Sequence, residues 1–183
     1  QFQDWKNENL QGRFRYTKSN TPVKATALSY EDGSPRETIA QGRIGTKISA
    51  GAPSSKYLYD YKAYDSPLEQ KNILSDVEEI VVYGKIPRNS ISIPTITGER
   101  YSPDFMYIVR KASGTKELNI VVETKDVENK SELRSIEQLK IDCAKIFFET
   151  LSEDGYNVHF RDQLNNRQMI QIIKDIQIGR AHV

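Results

Sequence analysis

One cysteine, Cys143, and two histidines, His159 and His182, are the only thiol or imidazole metal ligands this sequence offers. A lone cysteine excludes an internal disulfide framework and a cysteine-rich zinc site, and two histidines are too few for a histidine-based one. The ligands in good supply are carboxylates, 25 in all, which select hard cations such as magnesium or manganese. No apolar run exceeds five residues, so no membrane span is expected. The first residues, QFQDWKNENL, have no apolar stretch of the kind a signal peptide needs. The expectation is a cytoplasmic protein that does not enter a membrane. There is no G-x-x-x-x-G-K-[ST] loop: the GTK at 45–47 and at 114–116 lack the preceding glycine. ATP hydrolysis is therefore not expected in this chain. An excess of one charge is also missing. With 26 Lys and Arg against 25 Asp and Glu, the net charge is +1, which is no strong nucleic-acid footprint.

At 183 residues, with 37% hydrophobic and 9% aromatic residues, the chain can bury the core of one domain, or of one domain with an extension. It begins without methionine, its two being Met106 and Met169. We expect either a piece of a longer polypeptide or a trimmed small protein. The charge is unevenly spread: residues 1–65 hold 10 basic and 7 acidic residues, and residues 66–183 hold 16 and 18. Any nucleic acid must be held by local placement of charge.

Residues 1–65 read as a strand-rich extension or linker. FRYT, TALSY and YLYDY favour strand, and EDGSP and SAGAPSS are turn signals. Tyr57, Tyr59 and Tyr61 alternate, which would put them on one strand face. Such a row could stack on bases, but packing on a core is the commoner use. From residue 66 the pattern changes. Ser66 is a good N-cap, Pro67 suits the first helical position, and Glu69 completes an S-x-x-E capping box. Strands follow at Ile80–Tyr83, at about 104–110, and in LNIVVETK, the last two joined by the turn KASGTKE. In the next helix Leu133, Ile136, Leu139, Cys143, Ile146 and Phe147 recur at spacings of three and four. YNVHF gives another strand, and roughly 166–176 a last helix. Helix, three strands, helix, strand, helix is an α/β layout with an antiparallel hairpin leading into a crossover helix.

The chemistry concentrates on that hairpin. Glu123 and Lys125 are two apart in an otherwise apolar strand, so they share a face. Buried charges need a partner or a metal. If paired residues sum to 227, Asp104 lies opposite Glu123; if they sum to 229, it lies opposite Lys125. Either register gathers Asp104, Glu123 and Lys125. Two neighbouring carboxylates repel unless one holds a proton or a cation sits between them, and a divalent metal answers that need. Lys125 can then stabilise charge on an attacked phosphate, or orient or deprotonate a water. The plainer alternative is an Asp–Lys ion pair at a sheet rim with Glu123 solvated.

SPDF at 102–105 and VVETK at 121–125 resemble the PD-(D/E)xK nuclease signature. The run from PLEQ through YSPDFMYIVRK, LNIVVETKD and EQLKIDCAKIFFETL resembles, more narrowly, the C-terminal endonuclease domain of the restriction (Res) subunit of type III restriction–modification enzymes. The likeness covers about residues 66–160 well and the N-terminal third loosely. It implies a restriction-endonuclease-like core over 66–183 that hydrolyses double-stranded DNA with magnesium bound by Asp104 and Glu123. It also implies a helicase motor upstream in the same polypeptide, ATP used only there, a DNA methyltransferase (Mod) partner, and pairing of two active sites for double-strand cutting. In many such folds a glutamate of the first core helix joins the metal site, and Glu69 matches that position; the local alternative is a capping residue only. Lys140 and Lys145 are candidates for phosphate contact or for solvated helix charges. Cys143 reads as a core residue and His159 as structural. Two other readings are a repair or junction nuclease of the same superfamily, and a non-catalytic DNA-binding or docking module on the same fold.

Overall fold

The structure, a computed structural model, describes residues 15–17, 24–111 and 117–179. Eight strands and four α-helices are assigned among them: α1 (Gln41–Ile44), β1 (Lys47–Ile48), β2 (Ala63–Tyr64), α2 (Pro67–Leu74), β3 (Ile80–Lys85), β4 (Ile93–Pro94), β5 (Arg100–Tyr101), β6 (Phe105–Arg110), β7 (Glu117–Lys125), α3 (Ser135–Glu153), β8 (Val158–Leu164) and α4 (Met169–Gly179). The main sheet has the order β3-β6-β7-β8. β3/β6 and β6/β7 are antiparallel, and β7/β8 is parallel. The parallel pair requires a crossover, and α3 supplies it.

The sheet is covered on both faces. On one, Ile73 of α2 and Met169, Ile172, Ile173 and Ile176 of α4 pack with Tyr83, Phe105, Tyr107, Val109, Ile120 and Val122. On the other, Ile141, Ala144 and Phe148 of α3 pack with Val121 and Phe160, and with Ile93 and Tyr101 of the small β4/β5 hairpin. This is the expected mixed α/β architecture, consistent with a restriction-endonuclease-like fold. β3 and β6 are near-continuous apolar runs because both faces are buried, whereas the edge strand β8, VHFRDQL, is largely polar.

Three expectations need correction. The N-terminal third is not strand-rich among its described residues: it holds β1, β2, the four-residue α1 and two isolated bridges, Ser29 to Pro35 and Tyr57 to Tyr83. Turn residues at 49–55 interrupt it, and its apolar side chains serve the main core instead of a sheet of their own. Tyr57, Tyr59 and Tyr61 do not share a face: Tyr57 is buried, Tyr59 packs beside it and donates to the Lys85 carbonyl at 2.6 Å, and Tyr61 is 65% exposed. In α3 the buried set is Leu139, Ile141, Cys143, Ala144 and Phe148. Ile146 and Phe147 are only partly buried, because contact with β8 and the β4/β5 hairpin selects a neighbouring stripe. The turn KASGTKE falls mostly on 112–116, outside the described residues.

Gly45, the glycine of the first GTK, has a packing reason. A Cβ there would run into the backbone nitrogen of Tyr64, so its missing side chain lets this segment lie against β2.

Candidate active site

The β6/β7 hairpin takes the register that sums to 227, with Phe105 opposite Val122 and Arg110 opposite Glu117. Asp104 immediately precedes β6 and bonds across the pair, its N–H donating to the Val122 carbonyl at 3.1 Å. Its side chain turns to Thr124: the Thr124 N–H and hydroxyl donate to Asp104 Oδ2 at 2.7 and 2.6 Å. Thr124 alternates with Glu123 and Lys125 along β7, and the sequence did not foretell this contact. Because Asp104 stands just outside the regular strand, its carboxylate can reach round the edge of β7.

Glu123 has both carboxylate oxygens engaged. Oε1 pairs with Lys125 Nζ at 2.8 Å, and Oε2 accepts the Tyr101 hydroxyl at 2.5 Å. Lys125 also lies 3.6 Å from Glu137, in the first turn of α3. The Glu137 carboxylate in turn accepts from the Arg134 backbone and side chain, each at 3.1 Å. The strand end and the crossover helix are thus joined at the lysine.

The electrostatics follow from burial. Removal from water, then the field of Asp104, pushes the Glu123 carboxyl up to about 8, against the opposing pull of Lys125 and Tyr101. Burial also raises Asp104, although Thr124's two hydrogen bonds work against that rise. For Lys125, burial disfavours the charge, but Glu123, Asp104 and Glu137 outweigh it, so its ammonium is held more firmly than usual. Tyr101 is pushed well above the ordinary phenol range by burial and by Glu123, so it remains a hydrogen-bond donor.

Glu69 takes the capping arrangement. Its Oε2 accepts from the backbone N–H of Asp65 at 2.6 Å and of Ser66 at 3.3 Å, while Ser66 Oγ accepts from the Glu69 N–H. The same oxygen pairs with the buried Lys85 at 2.7 Å. The carboxylate therefore folds back instead of reaching towards Asp104, although its charge still raises the Asp104 pKa. Lys85 also binds Asp65 at 3.1 Å, and Asp65 binds Arg88 at 2.7 Å. The Ile86 N–H donates to the Asp104 carbonyl at 2.7 Å, which ties this ion cluster to the start of β6.

Sequence reasoning missed Tyr101, Thr124, Glu137, Lys85 and Asp162. Thr124 lies between Glu123 and Lys125 and was within reach of the pattern. Tyr101 depends on the β4/β5 hairpin, whose two-residue strands left no periodic signal. Asp162 stands opposite Glu123 in the parallel pair and is held by Lys130 at 3.0 Å. Lys140 pairs with Glu99 at 3.0 Å, and Lys145 lies 3.6 Å from Asp142 and 3.7 Å from Asp162, so both are ion-paired helix charges. Cys143 is fully buried, and burial pushes its thiol up, as suits a core residue. His159 is partly buried in β8.

Among the described residues no group of three or more His, Cys, Asp or Glu stands ready to hold a metal. The donor set nonetheless fits a hard cation. The buried Glu123 and the partly buried Asp104 both have raised pKa values, Glu123 partly through the field of Asp104, and positive charge between them would relieve both desolvation and repulsion.

A family model described as an endonuclease domain matches residues 55–167. The chain belongs to that endonuclease-domain family. It is 39% identical over 154 residues to the type III restriction–modification enzyme EcoP15I Res subunit of Escherichia coli, a match covering 83% of this chain and 16% of that protein. It is 38% identical, with the same coverage, to the EcoPI Res subunit of Escherichia phage P1. The StyLTI Res subunit of Salmonella typhimurium strain LT2 is 28% identical over 152 residues, covering 80% of this chain and 15% of that protein. The chain thus spans about a sixth of the length of the curated relatives it matches. No solved structure gives a significant match. No described helix is long and apolar enough to cross a membrane.

Proposed function

We propose that this chain is the nuclease part of a type III restriction enzyme and hydrolyses phosphodiester bonds of double-stranded foreign DNA with magnesium. The observation that carries the reading is the convergence of Asp104, Glu123 and Lys125 at one end of the β6/β7 hairpin in a member of an endonuclease-domain family.

In this reading Asp104 and Glu123 hold the cation, as the PD-(D/E)xK resemblance leads one to expect. Magnesium would supply Lewis-acid stabilisation of the phosphate and an acidified water. Thr124 fixes one oxygen of Asp104, and Tyr101 and Lys125 fix both oxygens of Glu123, so the carboxylates are oriented before any ligand arrives. Lys125 stays protonated because three carboxylates surround it. That favours stabilising charge on the attacked phosphate over removing a proton from water. Glu69 acts through its charge at the margin of the site while bound to Lys85 and the helix cap.

ATP use, a helicase motor in the same polypeptide, a methyltransferase partner and pairing of two nuclease domains belong to the same proposal; the Res-subunit relatives support it. Asp104→Ala, Glu123→Ala and Lys125→Ala should each lower magnesium-dependent cleavage by at least about a hundredfold in the intact enzyme. Near-normal cleavage by any two of them would sink the assignment.

A further inference from the structure

A second feature lies beside the candidate active site, outside its carboxylates. The segment 25–43 and the turn 87–90 enclose an open groove of about 490 Å³. Three arginines, Arg36, Arg43 and Arg88, line it, and no Asp or Glu does. The chain as a whole is nearly neutral, so three guanidinium groups around one depression are a local concentration of charge.

The three are held differently. Arg36 is fixed by its Nε, which donates to the Thr26 carbonyl at 2.9 Å, and by stacking over the Tyr30 ring at 4.3 Å. Among the described residues its two terminal nitrogens have no bond. Arg43, in the last turn of α1, is exposed, and its guanidinium has no partner among the described residues. Arg88 is braced from behind by Asp65 at 2.7 Å and by the Gly42 carbonyl at 3.3 Å. Asp65 also neutralises Lys85, so the ion cluster is internally balanced and leaves Arg36 and Arg43 uncompensated. The nearest acid along the chain, Glu37, lines the neighbouring cavity, which shares Arg36 with this groove, and among the described residues makes no ion pair with it.

The turn itself is shaped for this. Asn89 has φ 66°, and the Ser90 N–H donates to the Pro87 carbonyl at 3.0 Å. A left-handed residue costs a side-chain-bearing position some strain, and here it closes a tight turn that carries Arg88 at the groove. The Arg88 N–H donates to the Arg43 carbonyl at 2.8 Å, which joins the two walls.

The groove also lies close to the catalytic strand end. Ile86, two residues before Arg88, is bonded to the Asp104 carbonyl. At about 3.8 Å per residue, the Arg88 Cα lies within roughly 8 Å of the Ile86 Cα. A nucleic-acid strand with one phosphate at Asp104 would bring a neighbouring phosphate within reach of long arginine side chains.

We infer that this groove binds the phosphodiester backbone of the DNA substrate, with Arg43 and Arg36 contacting phosphate and Arg88 braced between them and the active site. The inference rests on the nuclease reading and adds the part of the chain that grips the substrate beside the cut. Arginine suits the task because its fork matches phosphate oxygens in pairs. Most of the groove wall comes from residues before the endonuclease-domain match, which begins at residue 55. That gives part of the N-terminal third a role the domain alone does not supply.

The test measures binding of a fluorescently labelled DNA duplex to the 183-residue chain by anisotropy, with calcium replacing magnesium and salt varied. Arg43→Gln should weaken binding about three- to tenfold. It should also reduce the slope of log affinity against log salt by about one, as loss of one phosphate contact requires. Arg43→Lys should restore most of the slope, and the melting temperature of both variants should match the parent. Arg36→Gln should reduce the slope similarly. An unchanged slope in Arg43→Gln, or no DNA binding by the parent chain, overturns the groove. Arg43-dependent binding of inorganic phosphate with unchanged DNA binding overturns it too, in favour of a small-anion site. Asp104→Ala separates the two readings. It should keep the salt slope and lose cleavage in the intact enzyme, whereas near-normal cleavage by Asp104→Ala and by Glu123→Ala or Lys125→Ala, with an Arg43-dependent slope, would leave the groove standing and fell the active-site assignment.

Discussion

Glu69 and Glu123 show how two carboxylates near one site can be placed under different constraints. Glu69 shares one oxygen among two backbone amides and a buried lysine. Replacing it by glutamine keeps a capping acceptor but leaves Lys85 with Asp65 alone, and a half-broken buried ion pair is destabilising by a few kcal/mol, on the order of 3. The informative variant is therefore double: Glu69→Gln with Lys85→Met removes both charges together. Its thermal stability should return towards the parent while magnesium-dependent cleavage stays about tenfold low. Full recovery of cleavage would reduce Glu69 to a helix cap. Glu123 gives a pH signature. Its carboxyl rises from 4.5 to about 8 on folding, so the folded protein binds that proton more tightly. The stability this contributes is complete below about 4.5 and is lost as pH rises through 8. Without metal, Glu123→Gln should therefore gain melting temperature relative to the parent as pH goes from 5 to 9. Magnesium should narrow the gap by stabilising the parent's ionised carboxylate. A pH-independent difference between the two proteins would refute the buried, proton-holding Glu123.

At the scale of elements, what the sequence disclosed depended on how local the signal was. The cap of α2 was legible because Ser66, Pro67 and Glu69 act within one turn. The β6/β7 hairpin was legible because alternation and the position of Asp104 leave two registers, and both gather the same three residues. Short elements were not. β4 and β5 have two residues each, too few for periodicity, and with them went Tyr101, the residue that completes Glu123's hydrogen bonding. The extension misled for a related reason. Tyr57 and Tyr59 have strand-forming side chains, but their burial is against β3 and not within a sheet of their own. Composition records the appetite for burial without naming the surface that satisfies it. The Thr124 contact went unforeseen because alternation orders side chains within a strand and Asp104 lies just outside one.

At the scale of the whole molecule, the chain carries the endonuclease domain and no nucleotide loop. The 183-residue chain alone should show no ATPase activity and little or no site-specific cutting. Assays with a plasmid substrate and with labelled ATP check both, and robust sequence-specific cleavage by this chain alone would overturn its proposed dependence on a motor and a methyltransferase.

The chain from Asp104 to Lys125 holds both proposed metal ligands and the lysine within one antiparallel hairpin, while β8 reaches β7 only after the crossover of α3. Loop closure is cheaper for the short connection than for the long one, and contacts close in sequence form faster than distant ones. The order of assembly follows: the hairpin that bears the proposed site forms early, and the parallel edge is added late. Pulse-labelled hydrogen exchange during refolding should find the β6 and β7 amides bonded to each other protected before those of β8. The hairpin part of the proposed site is then set by a local folding event, and the rest of the domain closes around a pair of carboxylates already in register.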